Sequence, residues 1–132
     1  MAEGHNPFDV RPDGHNVVLE FYAYGRYVLQ SQVFDAVMKA EHVAYARPRE
    51  ELVGTQPLQY WVDDVQLMLT PGEQLTWGDW STALWAMRLA VVGKGMCFEW
   101  YFGIARAGTP DDGPIGYGTL KTIRPEVATS KG

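Results

Sequence analysis

The chain has 132 residues, a formal charge of −5, a sequence pI near 5.1, 46% hydrophobic residues and 13% aromatic ones. That length and composition describe one globular domain able to bury a core, and exclude a disordered or fibrous chain. The acidic balance gives no long-range attraction to phosphate backbones or anionic lipid, so neither nucleic acid nor a membrane is an expected partner.

Residues 1–16 are rich in Gly, Pro, Asp and Asn and predict a flexible N-terminal arm without the apolar core of a signal peptide. From Val17 the sequence alternates. Val17, Leu19, Phe21 and Ala23 fall on one side and Val18, Glu20, Tyr22 and Tyr24 on the other, the pattern of a strand that Gly25 could bulge or end. The stretch 31–46 lacks Gly and Pro and repeats Val33, Val37, Ala40 and Ala44 at helical spacing, with Ser31 as the expected N-cap and Pro48 beyond its end. A connecting loop is predicted over 48–57. LQYWVDDVQLMLTP alternates again, Val65, Leu67 and Leu69 against Asp64, Gln66 and Met68, and reads as one strand stopped at Pro71-Gly72.

The next helix carries the clearest start signal. Thr76 and Asp79 have capping-box spacing, Leu75 and Trp80 that of a hydrophobic staple, and Gly93 and Gly95 suit its end. Around this helix, Trp80, Leu84, Met87 and Val91 form one stripe, while Trp85 lies roughly 140° away with Leu89 and Val92. Trp80 is expected in the core. Trp85 either packs on the other helix or the 48–57 loop, or faces a partner or ligand, and Trp77 lies between the two patches. Two strands follow, MCFEWYFGIA and IGYGTL, separated by the turn-rich AGTPDDGP, with residues 124–132 a frayed tail. The expected fold of residues 17–123 is a single α+β domain of order β-α-β-α-β-β, with two helices on one face of a mostly antiparallel four-stranded sheet.

If the helices cover Leu19, Phe21, Val65, Leu67, Phe98, Trp100 and Phe102, strand alternation puts Glu20, Tyr22, Tyr24, Gln66, Met68, Cys97, Glu99 and Tyr101 on the other face, with Tyr117 able to join them. Tyrosine and methionine suit a homodimer interface, and tyrosines beside a carboxylate suit a pocket for an apolar small molecule. The binding candidates are Tyr22, Tyr24, Tyr101, Tyr117 and Trp85. The catalytic candidates are Glu99, Glu20 and His42, and a carboxylate base there requires burial that raises its pKa. An ordinary solvated face is the plain alternative.

No cofactor motif is present: Gly-x-Gly in IGYGTL has no following helix, as a phosphate loop requires. His5, His15 and His42 match no metal-site spacing, and Cys97 is the single cysteine, which excludes an intrachain disulfide and suits a reducing compartment. Asp63-Asp64 straddles the two faces of its strand, which disfavours paired-carboxylate chemistry.

The segments VQLMLTP, LTWGDWSTALWAM, FEWYFGI and IGYGTL together resemble a group of small uncharacterised fungal proteins. These share a Thr-Trp-Gly-x-Trp helix start, here Thr76, Trp77, Gly78 and Trp80, and a closing Gly-x-Gly-x-Leu, here Gly116, Gly118 and Leu120. The resemblance covers about residues 60–120; Asp63 and Asp64 depart from it where glycine is common. It implies a fungal origin, the same fold order and members that are secreted, and carries over no activity or functional residue. The functional expectation is a small binding or interaction module that self-associates through an aromatic surface. The alternative is a cofactor-independent isomerase, cyclase or hydratase with a Glu- and Tyr-lined pocket.

Overall fold

Short alternating segments interrupted by two Pro-free helical stretches fold into two layers. The computed structural model describes residues 17–106 and 114–123; the expected arm over 1–16, the turn segment between the last two strands and the tail over 124–132 lie outside them. In chain order the elements are β1 (Val17–Tyr27), α1 (Gln30–Tyr45), β2 (Leu58–Val62), β3 (Val65–Pro71), α2 (Trp77–Lys94), β4 (Phe98–Arg106) and β5 (Pro114–Thr122). The strands form one antiparallel sheet in the order β1-β4-β5-β3-β2, and both helices pack against it. The α+β class and the arrangement of helices agree with the sequence reading, but the sheet has five strands instead of four.

The additional strand comes from LQYWVDDVQLMLTP, which folds as a hairpin. Val62 pairs with Val65, and Asp63-Asp64 forms the two-residue turn with Asp63 at φ 54°. Aspartate tolerates this left-handed backbone because its short side chain is compact and polar. The hairpin rests under α1, where Gln32 Nε2 donates to Asp63 (3.3 Å) and Lys39 Nζ to the Trp61 carbonyl (2.9 Å). α1 itself begins two residues earlier than a cap at Ser31 would place it. Leu29 occupies the N-cap without a side-chain bond, and its carbonyl accepts from Gln32 and Val33 N–H.

Register fixes the two faces of the sheet. Phe21, Phe102, Gly118, Leu69 and Leu58 lie side by side across five strands, and so do Trp100, Leu120, Leu67 and Tyr60 across four. These rows meet the helices and each other: Trp80 of α2 stacks on Phe102 with centroids 6.3 Å apart, and within the sheet Phe21 meets Trp100 edge-on at 5.0 Å. Gly118 is required in its row, since a Cβ there would run into the Phe102 ring and the Met68 carbonyl.

The Thr-Trp-Gly-x-Trp segment is a docking platform for the loop that precedes β2. Thr76 and Asp79 form the capping box, at 3.1 Å in each direction. Trp77 N–H donates to Glu51 O and Gly78 N–H to Arg49 O, both at 2.9 Å, so the open donors of the helix start are met by that loop. A Cβ at Gly78 would lie 3.0 Å from the Arg49 carbonyl, which is why a close backbone approach needs glycine here. Trp77 is buried beneath the Arg47 guanidinium, 5.2 Å from its ring, and Leu75 and Trp80 are fully buried as a staple requires. At the other end Gly95, at φ 65°, closes the helix.

α2 has apolar residues on nearly every side because it is enclosed on several. The sheet covers Trp80, Leu84 and Met87, while α1 meets it through a partly buried ion pair: Arg88 Nε and Nη2 donate to the two Glu41 oxygens at 3.0 and 3.3 Å. Tyr45 adds a third bond to the same carboxylate, 3.1 Å. Leu89 and Val92 are left exposed. No helix among the described residues is long and apolar enough to cross a membrane.

Candidate functional site

The face of the sheet turned away from the helices has no layer over it among the described residues. Alternation places Thr70, Tyr117, Gly103 and Glu20 in one row across four strands, and Gln59, Met68, Thr119, Tyr101 and Ala23 in the next across five. Tyr22, Tyr101 and Tyr117 are 54%, 48% and 52% exposed, values high for rings this size. Between them lies a groove of about 310 Å³ lined by Tyr22, Met68, Thr70, Tyr101, Tyr117 and Thr119, among others.

Glycine shapes this groove. Gly103 has no side chain, and the Tyr22 ring occupies the space: a Cβ there would lie 2.6 Å from the phenolic oxygen and 2.7 Å from the ring. The Tyr22 hydroxyl donates to Glu20 Oε1 at 3.0 Å, and the Lys121 ammonium sits 4.9 Å from the Tyr101 ring centroid, a cation–π distance.

The sequence candidates separate. Tyr22, Tyr101 and Tyr117 come together in the groove, with Glu20 at its side. Tyr24 does not join them. A register shift between Phe21 and Ala23 inserts Tyr22 as an extra residue, so the alternation is reset and Tyr24 falls opposite Trp100, its ring 6.4 Å from Phe21. His42 is exposed on α1, in the other layer. Trp85 is half-buried beside Tyr45, Arg49, Ser81 and Thr82 around a recess of about 80 Å³, also in the helix layer. Cys97 precedes β4 and is buried away from the groove, and burial pushes its thiol pKa up.

Glu99 is occupied otherwise than a general base would be. Its carboxylate accepts Thr122 N–H at 2.9 Å and Arg26 N–H at 3.1 Å, with the Arg26 guanidinium 3.5 Å away. Gly25 makes room for it, since a Cβ there would come within 2.5 Å of Glu99 Oε1. Partial burial pushes this carboxyl up, but the Thr122 and Arg26 N–H groups and the Arg26 guanidinium outweigh it, and the net shift is downward. The raised pKa that a carboxylate base needs is not found at Glu99. Its geometry is that of a clamp, holding the irregular second half of β1 to the end of β5.

Sequence reasoning missed Met68, Thr70 and Thr119 as members of one groove with the tyrosines. The alternation signal put Met68 on this face, but only the strand order brings β3 and β5 beside β4. Among the described residues no three His, Cys, Asp or Glu side chains gather as a metal site. Comparison of the chain with protein-family models, with curated proteins and with solved structures finds no match.

Proposed function

We propose that this protein is a non-catalytic binding module that self-associates through the uncovered face of its sheet. The carrying observation is the contrast between that face and the sheet's edges. β1 is bent by two register shifts, and β2 is five residues long with its Trp61 carbonyl taken by Lys39. Both are devices that discourage strand addition at an edge. Among the described residues the face carries no comparable protection, and it presents three half-exposed tyrosines and a methionine, residues favoured in interfaces. Five strands about 4.8 Å apart, averaging about eight residues at ~3.3 Å per residue, give roughly 650 Å² of face. Two copies together cover about 1,300 Å², the low end for a stable specific interface, so the dimer is concentration-dependent.

Light scattering over a concentration series tests this with the native protein, Tyr101→Glu and Trp85→Asp. The native protein and Trp85→Asp should move from monomer to dimer over the same range, and Tyr101→Glu should stay monomeric with its circular dichroism unchanged. A native protein that is monomeric throughout, or a dimer lost in Trp85→Asp but kept in Tyr101→Glu, rejects the proposal.

A further inference from the structure

We infer that the tyrosine groove is a binding site for an uncharged, flat, ring-bearing molecule with oxygen substituents, of the hydroxylated aromatic class. The inference rests on the face-to-face reading only for its lid, which the second copy supplies; the groove itself belongs to one chain.

Four observations define the ligand chemistry. The volume, about 310 Å³, stands at the lower end for small-molecule sites and suits a molecule of one or two fused rings. The walls are rings, and aromatic pairs favour offset or edge-on contact with another ring. No lining residue is charged at neutral pH. The two charges beside the groove, Glu20 and Lys121, are held by the Tyr22 hydroxyl and the Tyr101 ring and do not line it, so a charged ligand would give up solvation without a direct ion pair inside the groove. Finally, the hydroxyls of Tyr101, Tyr117 and Thr119 make no hydrogen bond among the described residues, which leaves donors and acceptors for ligand oxygens. The groove is also preformed. Gly103 holds the Tyr22 wall in place, and the fit of Phe102 against Gly118 fixes the backbone of its floor.

The experiment is a titration of the isotopically labelled protein with 2-naphthol, followed by amide chemical shifts and by solution mass, with 2-naphthalenesulfonate as the charged analogue. Expected are saturable shifts at Gly118, Thr119 and Tyr101, binding of the sulfonate weaker by roughly tenfold or more, and a larger dimer fraction with 2-naphthol. Tyr117→Ala should weaken 2-naphthol binding about 3- to 10-fold, the loss of one aromatic contact, with the melting temperature kept. Absence of groove shifts up to the solubility limit, or equal binding of the sulfonate, overturns the inference; if the native protein still dimerises through the face, self-association survives. Groove shifts in a protein that stays monomeric support the ligand site and reject both the lid and self-association.

Discussion

Replacement of Glu99 by glutamine separates a structural carboxylate from a catalytic one. Glutamine keeps the shape but offers a single acceptor oxygen, so one of the N–H groups of Thr122 and Arg26 is left facing an amide NH₂. Hydrogen bonds to charged groups contribute about 1.5–3 kcal/mol each. The Arg26 guanidinium is 68% exposed, and its ion pair adds little. Loss of one bond predicts a destabilisation of about 2 kcal/mol at neutral pH, or a melting temperature lower by ~6–10 °C for a domain of this size. The pH dependence supplies a second signature. The folded carboxyl titrates below its ordinary value of 4.5, so its stabilisation is complete above that value and is lost as pH falls through the folded pKa. Thermal unfolding of the two proteins, from neutral pH down to about pH 3, should therefore show a gap that closes in acid. An unchanged melting temperature at neutral pH, or a gap independent of pH, refutes the clamp.

Three further predictions concern the frame of the fold. Gly118→Ala forces a methyl into the Phe102 ring and the Met68 carbonyl and should cost ~1–3 kcal/mol in urea unfolding, with a loss of 2-naphthol binding as the floor moves. Glu41→Ala strands Arg88 at the helix interface; because the guanidinium is one-third exposed, the cost should be about 2 kcal/mol, below that of a fully buried pair, and Glu41→Leu with Arg88→Met should recover most of it. Cys97, buried and with its thiol pKa raised, should react with a disulfide reagent only at the rate of unfolding, and prompt labelling of the native protein would place the thiol at the surface.

Several local signals in the sequence hold. The Thr76–Asp79 capping box, the Gly95 cap and the alternation of β1 as far as Phe21, of β3 and of β4 from Trp100 are readable from neighbours, and are present. The hairpin at Asp63-Asp64 escaped because the pair lacks the glycine that usually marks a two-residue turn, and continuous alternation on both sides imitates one longer strand. Tyr24 was misplaced for a related reason: a bulge changes the phase of a strand without changing its composition. The surroundings of Glu99 were illegible for a reason of longer range. Its partners are at Arg26 and Thr122, and no spacing in the sequence announces that a carboxylate will meet two distant N–H groups. The groove was half legible: the tyrosines were visible as a set, but their assembly around Met68 and Thr119 required the strand order.

That strand order also sets a timetable for synthesis. Among the described residues β1 pairs only with β4, and the Phe21–Phe102 partnership joins residues 81 positions apart (102 − 21). At roughly 5–20 residues per second, a ribosome needs about 4–16 s to supply the partner, and transit of the exit tunnel adds to the delay. During that interval the apolar side of β1 has no neighbouring strand, while β2 and β3 can already close as a hairpin. The strand made first thus docks late, and its unsatisfied interval is when a nascent chain most needs protection from aggregation.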